Sequence, residues 1–401
     1  MNLSMNPYHS MLAVLLLAAV PGAWSAPAND ASDKPDFAAL CPRALVSEGN
    51  LTRLQHALAR ARRGETVTVA VIGGSITAGA KASKPQKRYG ELVGAWWRQQ
   101  FPKAEIKFVN AGIGATGTNY GALRARRDLL AQRPDFVIAE YACNDRNTRE
   151  AAETLEGLTR QILRQPGRPA LLLLFMMHQG GGNAQEWHFK VGAHCALPMI
   201  SFRDALWPEI KAGRIKWDAV MADVVHPNDA GHECAAKLVT HFLDKVLKEL
   251  PADDRLRAIE PVPSPLLSDL FERTVLMEAG NLKPIKNDGW TYDARWKNWH
   301  SEKPGSVIEF EISGRLVYSM HFVVRRAMGK AKAQVDDAPP VTLDGWFDQT
   351  WGGYRNTTVI ARDLKPGLHR VRFELLEEKS PKSDGHRFEI MGLGAAGSDA
   401  P

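Results

Sequence analysis

Apolar residues come first in short, nearly unbroken runs: "VTVAVIG" (67–73), "IKFVNAG" (106–112), "DFVIAEY" (135–141), "ALLLLFMM" (170–177) and "LPMISF" (197–202). Between them the apolar positions recur with a helical period, in "YGELVGAWWRQQF" (89–101), "TNYGALRARRDLLAQ" (118–132), "NTREAAETLEGLTRQILRQ" (147–165) and "FRDALWPEIKAG" (202–213). A further helix-like stretch, "NDAGHECAAKLVTHFLDKVLKEL" (228–250), closes the region. Strands that are apolar on both faces, separated by amphipathic helices, predict parallel βαβ units in a sheet covered on both sides. The expected result is a three-layer, doubly wound α/β domain over residues 40–250.

The pattern then changes. "PADDRLRAIEPVPSPLLSD" (251–269) is rich in proline and charge and reads as a linker. Beyond it come short segments of alternating polarity, among them "GSVIEFEIS", "RLVYSMHFVV", "KAQVDD", "TTVIARDL", "HRVRFELLE" and "HRFEIMGLG". Closely spaced turn residues separate them and no long helical period intervenes. Residues 270–398 are therefore expected to form an all-β sandwich of the jelly-roll kind. No internal repeat is visible.

At the N-terminus, Met11–Val20 is an apolar run followed by Pro21-Gly22 and small residues. It is too short to cross a bilayer, which takes about 20 residues. Residues 1–28 read as a secretory signal peptide, although the preceding segment carries no Lys or Arg. An exported protein, periplasmic or secreted and without a membrane span in its mature chain, is expected.

Composition narrows the function classes. The 401 residues are 44% hydrophobic and 24% charged, an ordinary globular balance, with a net charge of only +6. No dense Lys/Arg block with interleaved aromatics occurs, which argues against nucleic-acid binding. Cys41, Cys143, Cys195 and Cys234 form no CxxC pair, and the spacings of ten and six among His178, His188 and His194 match no zinc pattern. No metal is expected.

Parallel sheets present their ligands at the carboxyl ends of the strands. Polar groups stand at those ends in four places: Ser75 after the first run, "NAGIGATG" (110–117) around the end of the second, Asn144-Asp145 after the third, and "DVVHP" (223–227) before the closing helix. A serine hydroxyl becomes a nucleophile when an imidazole accepts its proton. His226 suits that role, and Asp223 in the same loop suits the task of orienting the ring. The Ser75 amide, a loop amide at Gly114 or Ala115, and the Asn144 side chain are candidate donors to a tetrahedral oxyanion.

"GGSIT", "NAGIGATG", "CND" and "DVVHP", in this order, resemble the blocks of the SGNH (GDSL-type) hydrolases over residues 67–245. The resemblance implies a flavodoxin-like five-stranded core, Ser75 as nucleophile, Asn144 as oxyanion donor, and Asp223 and His226 completing a triad, with no cofactor. The chain departs from the family pattern in two places. The usual GDS is Gly73-Gly74-Ser75, and the oxyanion glycine expected five residues after Asn110 is Ala115. Ala142 replaces a usual glycine in the third block.

Other readings of these residues exist. "GIGATG" (112–117) is a literal G-x-G-x-x-G with Glu140 further on, the dinucleotide fingerprint, but it leaves Ser75, Asn144 and Asp223–His226 unexplained. Taken singly, Ser75 and Asn144-Asp145 read as helix caps and His226-Pro227 as a turn. His232 and Cys143 read as packing residues. The order of all four blocks at strand ends favours catalysis.

Trp290, Trp296, Trp299, Trp346 and Trp351 crowd the second domain. Flat aromatic faces stack on sugars, and Trp346 and Trp351 flank a polar, glycine-rich stretch expected to be an exposed loop. The arrangement resembles an exported esterase acting on an acylated, and foremost acetylated, carbohydrate or polysaccharide. An acyltransferase with the same triad and a carbohydrate-binding protein with vestigial activity are the alternatives.

Overall fold

The computed structural model describes residues 37–252 and 255–398. The signal peptide expected at 1–28 lies outside them. Before the first apolar run the chain forms α1 (Phe37–Ala44), a three-residue strand β1 (Leu45–Ser47) and α2 (Thr52–Arg62). The runs then alternate with helices: β2 (Val67–Gly73), α3 (Ser75–Ala78), α4 (Tyr89–Gln100), β3 (Ile106–Gly112), α5 (Thr118–Asp128), β4 (Phe136–Glu140) and α6 (Arg149–Leu163). After these come β5 (Ala170–Phe175), α7 (Gln185–His194), β6 (Met199–Ser201), α8 (Phe202–Lys211), α9 (Trp217–Val220) and α10 (Asp229–Lys248).

The sheet order is β1-β6-β5-β4-β2-β3, parallel throughout except for β1, which runs antiparallel to β6. In chain order its five parallel strands read 2-1-3-4-5, the flavodoxin-like arrangement. Every residue of β2, β4 and β5 is buried, which is why their sequences are apolar without alternation. The order reverses between β2 and β4, so their carboxyl ends open into a crevice at the switch point.

The second part is a sandwich of antiparallel strands. Its elements are β7 (Thr274–Glu278), β8 (Lys286–Asp288), β9 (Thr291–Asp293), β10 (Asn298–Ser301), β11 (Val307–Ser313) and β12 (Leu316–Val323). They continue with β13 (Lys330–Val335), β14 (Val341–Asp344), β15 (Tyr354–Ala361), β16 (Leu368–Leu375) and β17 (Phe388–Ala396). One sheet runs β15-β12-β17-β10-β9, with β7 also on β17, and the other runs β14-β13-β16-β11-β8. Alternate residues of β13 and β16 point inward, where Ala331, Ala333, Val371 and Phe373 meet Ile308, Phe310, Ile390 and Leu393.

The segment marked as a linker lies against α6. Glu156, fully buried, accepts hydrogen bonds from three successive amides, those of Leu266, Leu267 and Ser268. Buried Arg160 pairs with Glu272, and Phe271 packs so closely on the helix that a Cβ at Gly157 would lie 2.0 Å from its own Cβ. Phe271, Leu316, Tyr318, Met320 and Ala396 share one apolar cluster with Tyr120, Leu123 and Tyr141 of the α/β part. The two parts are thus joined by a common core.

Phe271 is 1% exposed in that core. Phe271→Ala is expected to destabilise the protein by about 3–5 kcal/mol, through lost apolar contact and the cavity left behind. Urea unfolding followed by tryptophan fluorescence and by far-UV circular dichroism checks this. The two signals should move together in one transition, because the shared core couples both parts.

Candidate active site

Ser75 begins the short helix α3 immediately after β2. The loop 223–227 brings His226 to it across the sheet edge, with His226 Nε2 2.8 Å from Ser75 Oγ. On the other side of the ring, His226 Nδ1 lies 2.8 Å from Asp223 Oδ2 and 3.0 Å from Oδ1. Both Val225 and His226 donate their backbone N–H to Asp223 Oδ1, at 2.9 and 2.8 Å. Burial pushes the Asp223 carboxyl up, but these amides and the imidazole outweigh it and hold the group below its ordinary range. It therefore stays a carboxylate that can orient the ring.

The loop itself is clamped from both ends. Trp217 Nε1 donates to the Asp223 carbonyl, Gln179 N to the Val224 carbonyl, and Asn228 caps α10 through Gly231 N. A histidine on so short a loop gains its rigidity from these bonds.

Asn144 follows β4 in a turn closed by Asn144 N→Tyr141 O and Asp145 N→Tyr141 O. Its Oδ1 is buried without a partner. The neighbouring Asp145 accepts from Thr118 N (2.8 Å), Thr118 Oγ1 (2.6 Å) and the His188 Nε2 (3.0 Å). This carboxylate ties the end of β4 to the start of α5 and to α7. Gly114 stands against the nucleophile, where a Cβ would lie 3.8 Å from Ser75 Cβ, and Ala115 beside it has a left-handed φ of 55°.

Packing explains the first and last glycines of the G-x-G-x-x-G stretch. A Cβ at Gly112 would come within 2.3 Å of Ala78 N, and one at Gly117 within 2.4 Å of Asp145 Oδ1. Glu140 is fully buried, and Thr77 Oγ1 donates to its Oε2. It has no access to a ribose, so the dinucleotide alternative loses its acidic partner. Burial pushes the Glu140 carboxyl up to about 8, with Asp145 nearby adding to the effect. The chain Tyr89–Thr77–Glu140 braces the underside of α3.

The other residues singled out in the sequence fall as follows. His232 is buried, stacks on Tyr89 and lies 3.2 Å from the Ala80 carbonyl. Cys143 is buried, and its thiol is raised well above the ordinary range by desolvation. Trp290 belongs to the sandwich core, whereas Trp351 is 59% exposed. Trp346 is half-buried, with Lys382 Nζ 5.8 Å from its ring centre.

The sequence offers no sign that the sandwich lines a cleft beside Asn144, yet it does. A cleft of about 710 Å³ runs between Ala115, Asn119, Asn144 and Asp145 on one wall and Tyr354, Asn356 and Thr358 of β15 on the other. Asn119 Nδ2 donates to the Thr357 carbonyl, and Arg355 joins Tyr120 to Glu278. Phe347, Trp351 and Tyr354 form an aromatic trio with ring centres 5.1–5.6 Å apart, Tyr354 reaching into the cleft. His188 of α7, weighed in the sequence only as a metal ligand, is buried at the Asp145 carboxylate, a role its sequence context does not signal.

Residues 71–234 match the GDSL-like lipase/acylhydrolase family. Two solved structures of a two-domain esterase active on acetylated mannans, one of them co-crystallised with mannopentaose, are similar over both parts. They superpose with TM-scores of 0.82 and 0.81 at 31% and 32% identity, and each match covers 90% of this chain and 99% of that chain. Among curated proteins none matches.

Glu140 offers a test of the buried network. Its folded carboxyl is raised to about 8 from 4.5, so the folded state holds a proton that the unfolded chain releases. Its contribution is full below about pH 4.5 and is lost as pH rises toward 8. Glu140→Gln cannot titrate, so its melting temperature should gain on the wild type steadily across that interval. Parallel profiles for the two proteins would show that Glu140 is already ionised in the fold.

Proposed function

The chain belongs to the GDSL-like lipase/acylhydrolase family, and we propose that it is an exported serine esterase that removes acetyl groups from an acetylated polysaccharide. It is a carboxylic ester hydrolase by family and by likeness over both parts. The observation that carries the mechanistic reading is the line from Asp223 Oδ2 through the His226 ring to Ser75 Oγ, 2.8 Å at each contact.

In this reading Ser75 Oγ attacks the acetyl carbonyl carbon while His226 Nε2 takes its proton. Asp223 holds the other ring nitrogen and stabilises the imidazolium. The carbonyl oxygen becomes an oxyanion facing the Ser75 amide, the Asn144 amide group and an amide at Gly114 or Ala115. Collapse breaks the ester bond, and His226 returns the proton to the departing sugar oxygen. Water then attacks the acetyl-serine with His226 as base, releasing acetate and restoring Ser75.

The likeness to an esterase active on acetylated mannans supports a carbohydrate substrate, and it extends over the sandwich as well as the α/β part. So do the cleft beside Asn144 and the aromatic trio at its edge, since sugars present flat apolar faces to such rings. Trp346 and Trp351 are the proposed sugar platform, with Tyr354 between Trp351 and the cleft. Export rests on the N-terminal sequence. No described helix is long and apolar enough to cross a membrane.

Acetate release from a panel of acetylated polysaccharides, mannan included, tests the substrate class. Acetate appearing only when an oligosaccharide acceptor is withheld, with acetylated oligosaccharide formed in its presence, would assign the chain to the transferases instead. Ser75→Ala and His226→Ala are each expected to lower turnover by several orders of magnitude, and the double variant to be little worse than either, because the triad acts as a unit. More than a tenth of wild-type turnover in folded Ser75→Ala would refute the mechanism. Trp351→Ala should weaken hydrolysis of polymer several-fold while sparing a small acetyl ester and the melting temperature. Equal loss on both substrates would remove Trp351 from the sugar platform.

A further inference from the structure

Gly74 precedes the nucleophile and stands where the family's block carries aspartate. Its φ of −86°, with ψ at −146°, lies outside the left-handed region that calls for glycine. A Cβ at this position would come within 2.1 Å of Asn144 Oδ1, 2.6 Å of Asn144 Cγ and 2.9 Å of Asn144 Nδ2. These are its three nearest atoms, and all belong to one carboxamide.

The identity of the obstructed group decides what a side chain at 74 would cost. The Asn144 backbone is fixed, since Asn144 N and Asp145 N both donate to Tyr141 O and the Asp145 carboxylate is held by Thr118 and His188. The carboxamide is not fixed in the same way, because Oδ1 has no partner. A side chain at 74 therefore rotates the end of Asn144 aside at little expense to the fold. The expense falls on the direction in which Nδ2 points.

We infer that Gly74 is a positioning residue for the reaction: the volume of its missing Cβ is the volume that the Asn144 carboxamide occupies when it faces the oxyanion. This rests on the reading of Asn144 as an oxyanion donor. Oxyanion donors act only when aimed at the place where charge develops, and losing one costs about 10²–10³ in turnover. The departure from GDS to GGS is then a matched pair of choices, glycine at 74 with a close-lying carboxamide at 144. Installing aspartate at 74, the family's own residue, lowers turnover here.

The test is a double-mutant cycle on a small acetyl ester, with kcat, KM and melting temperature measured for wild type, Gly74→Ala, Asn144→Ala and the double variant. Gly74→Ala is expected to lower kcat about 10²-fold, close to the loss in Asn144→Ala, with KM within about twofold and little change in melting temperature. In the Asn144→Ala background the same change at 74 should alter kcat by less than about twofold, because the colliding group is gone. Unchanged kcat in Gly74→Ala, or losses that multiply in the double variant, overturn the inference while leaving Asn144 its role. Wild-type kcat in Asn144→Ala overturns the oxyanion reading itself. Should Gly74→Ala fail to fold, the double variant must regain folding, and its failure to do so also overturns the inference.

Discussion

A parallel sheet buried on both faces leaves no room for reactive side chains except at the ends of its strands. That constraint organises this protein. β2, β4 and β5 are sealed along their whole length, so Ser75 opens α3 just beyond β2 and Asn144 sits in the turn after β4. His226 arrives on a loop that must be clamped by Trp217, Gln179 and Asn228 because no strand carries it. Close packing of these turns, with Gly112 against Ala78 and Gly117 against Asp145, takes the place of a larger scaffold.

Beneath the turns lies a layer of buried polar groups. Asp145 joins β4, α5 and α7, while Thr77 links Tyr89 to Glu140 under α3. One is a carboxylate with three donors. The other is Glu140, whose carboxyl burial pushes up to about 8 and whose Oε1 has no partner. Polar groups sealed this way tolerate few alternative arrangements, and they fix the height at which Ser75 and Asn144 emerge.

Much of this was readable from the chain. The five apolar runs became the five parallel strands, and the blocks around Ser75, Gly114, Asn144 and Asp223–His226 met at one edge, because each block is local and follows a strand or opens a helix. β1 escaped notice because three residues carry no period, and α7 because "QEWHFKVGAH" mixes aromatic, charged and small residues without a clean stripe. The tryptophans were visible as a cluster, but sorting buried Trp290 from exposed Trp351 needs strand register, which composition does not carry. Tyr354 and Asn356 at the cleft depend on how the sandwich docks, through contacts more than two hundred residues apart in sequence, such as Asn119 with Thr357.

β17 follows every other strand of both sheets in chain order, yet it sits between β12 and β10 inside its sheet and also pairs β7. Its Gly394 lies against Leu123 of α5, where a Cβ would approach Leu123 Cδ1 to 2.5 Å. A nascent chain lacking this strand has a sandwich sheet broken into β15-β12, β10-β9 and an unpaired β7, and it leaves Leu123 of α5 short of cover. Assembly is therefore back-loaded: the first half to emerge waits, sticky, until β17, the eleventh described strand of the sandwich, closes its sheet. Such a topology ties solubility of the intermediate to whatever shields it during synthesis, and makes the timing of one late strand the hazard in producing the enzyme.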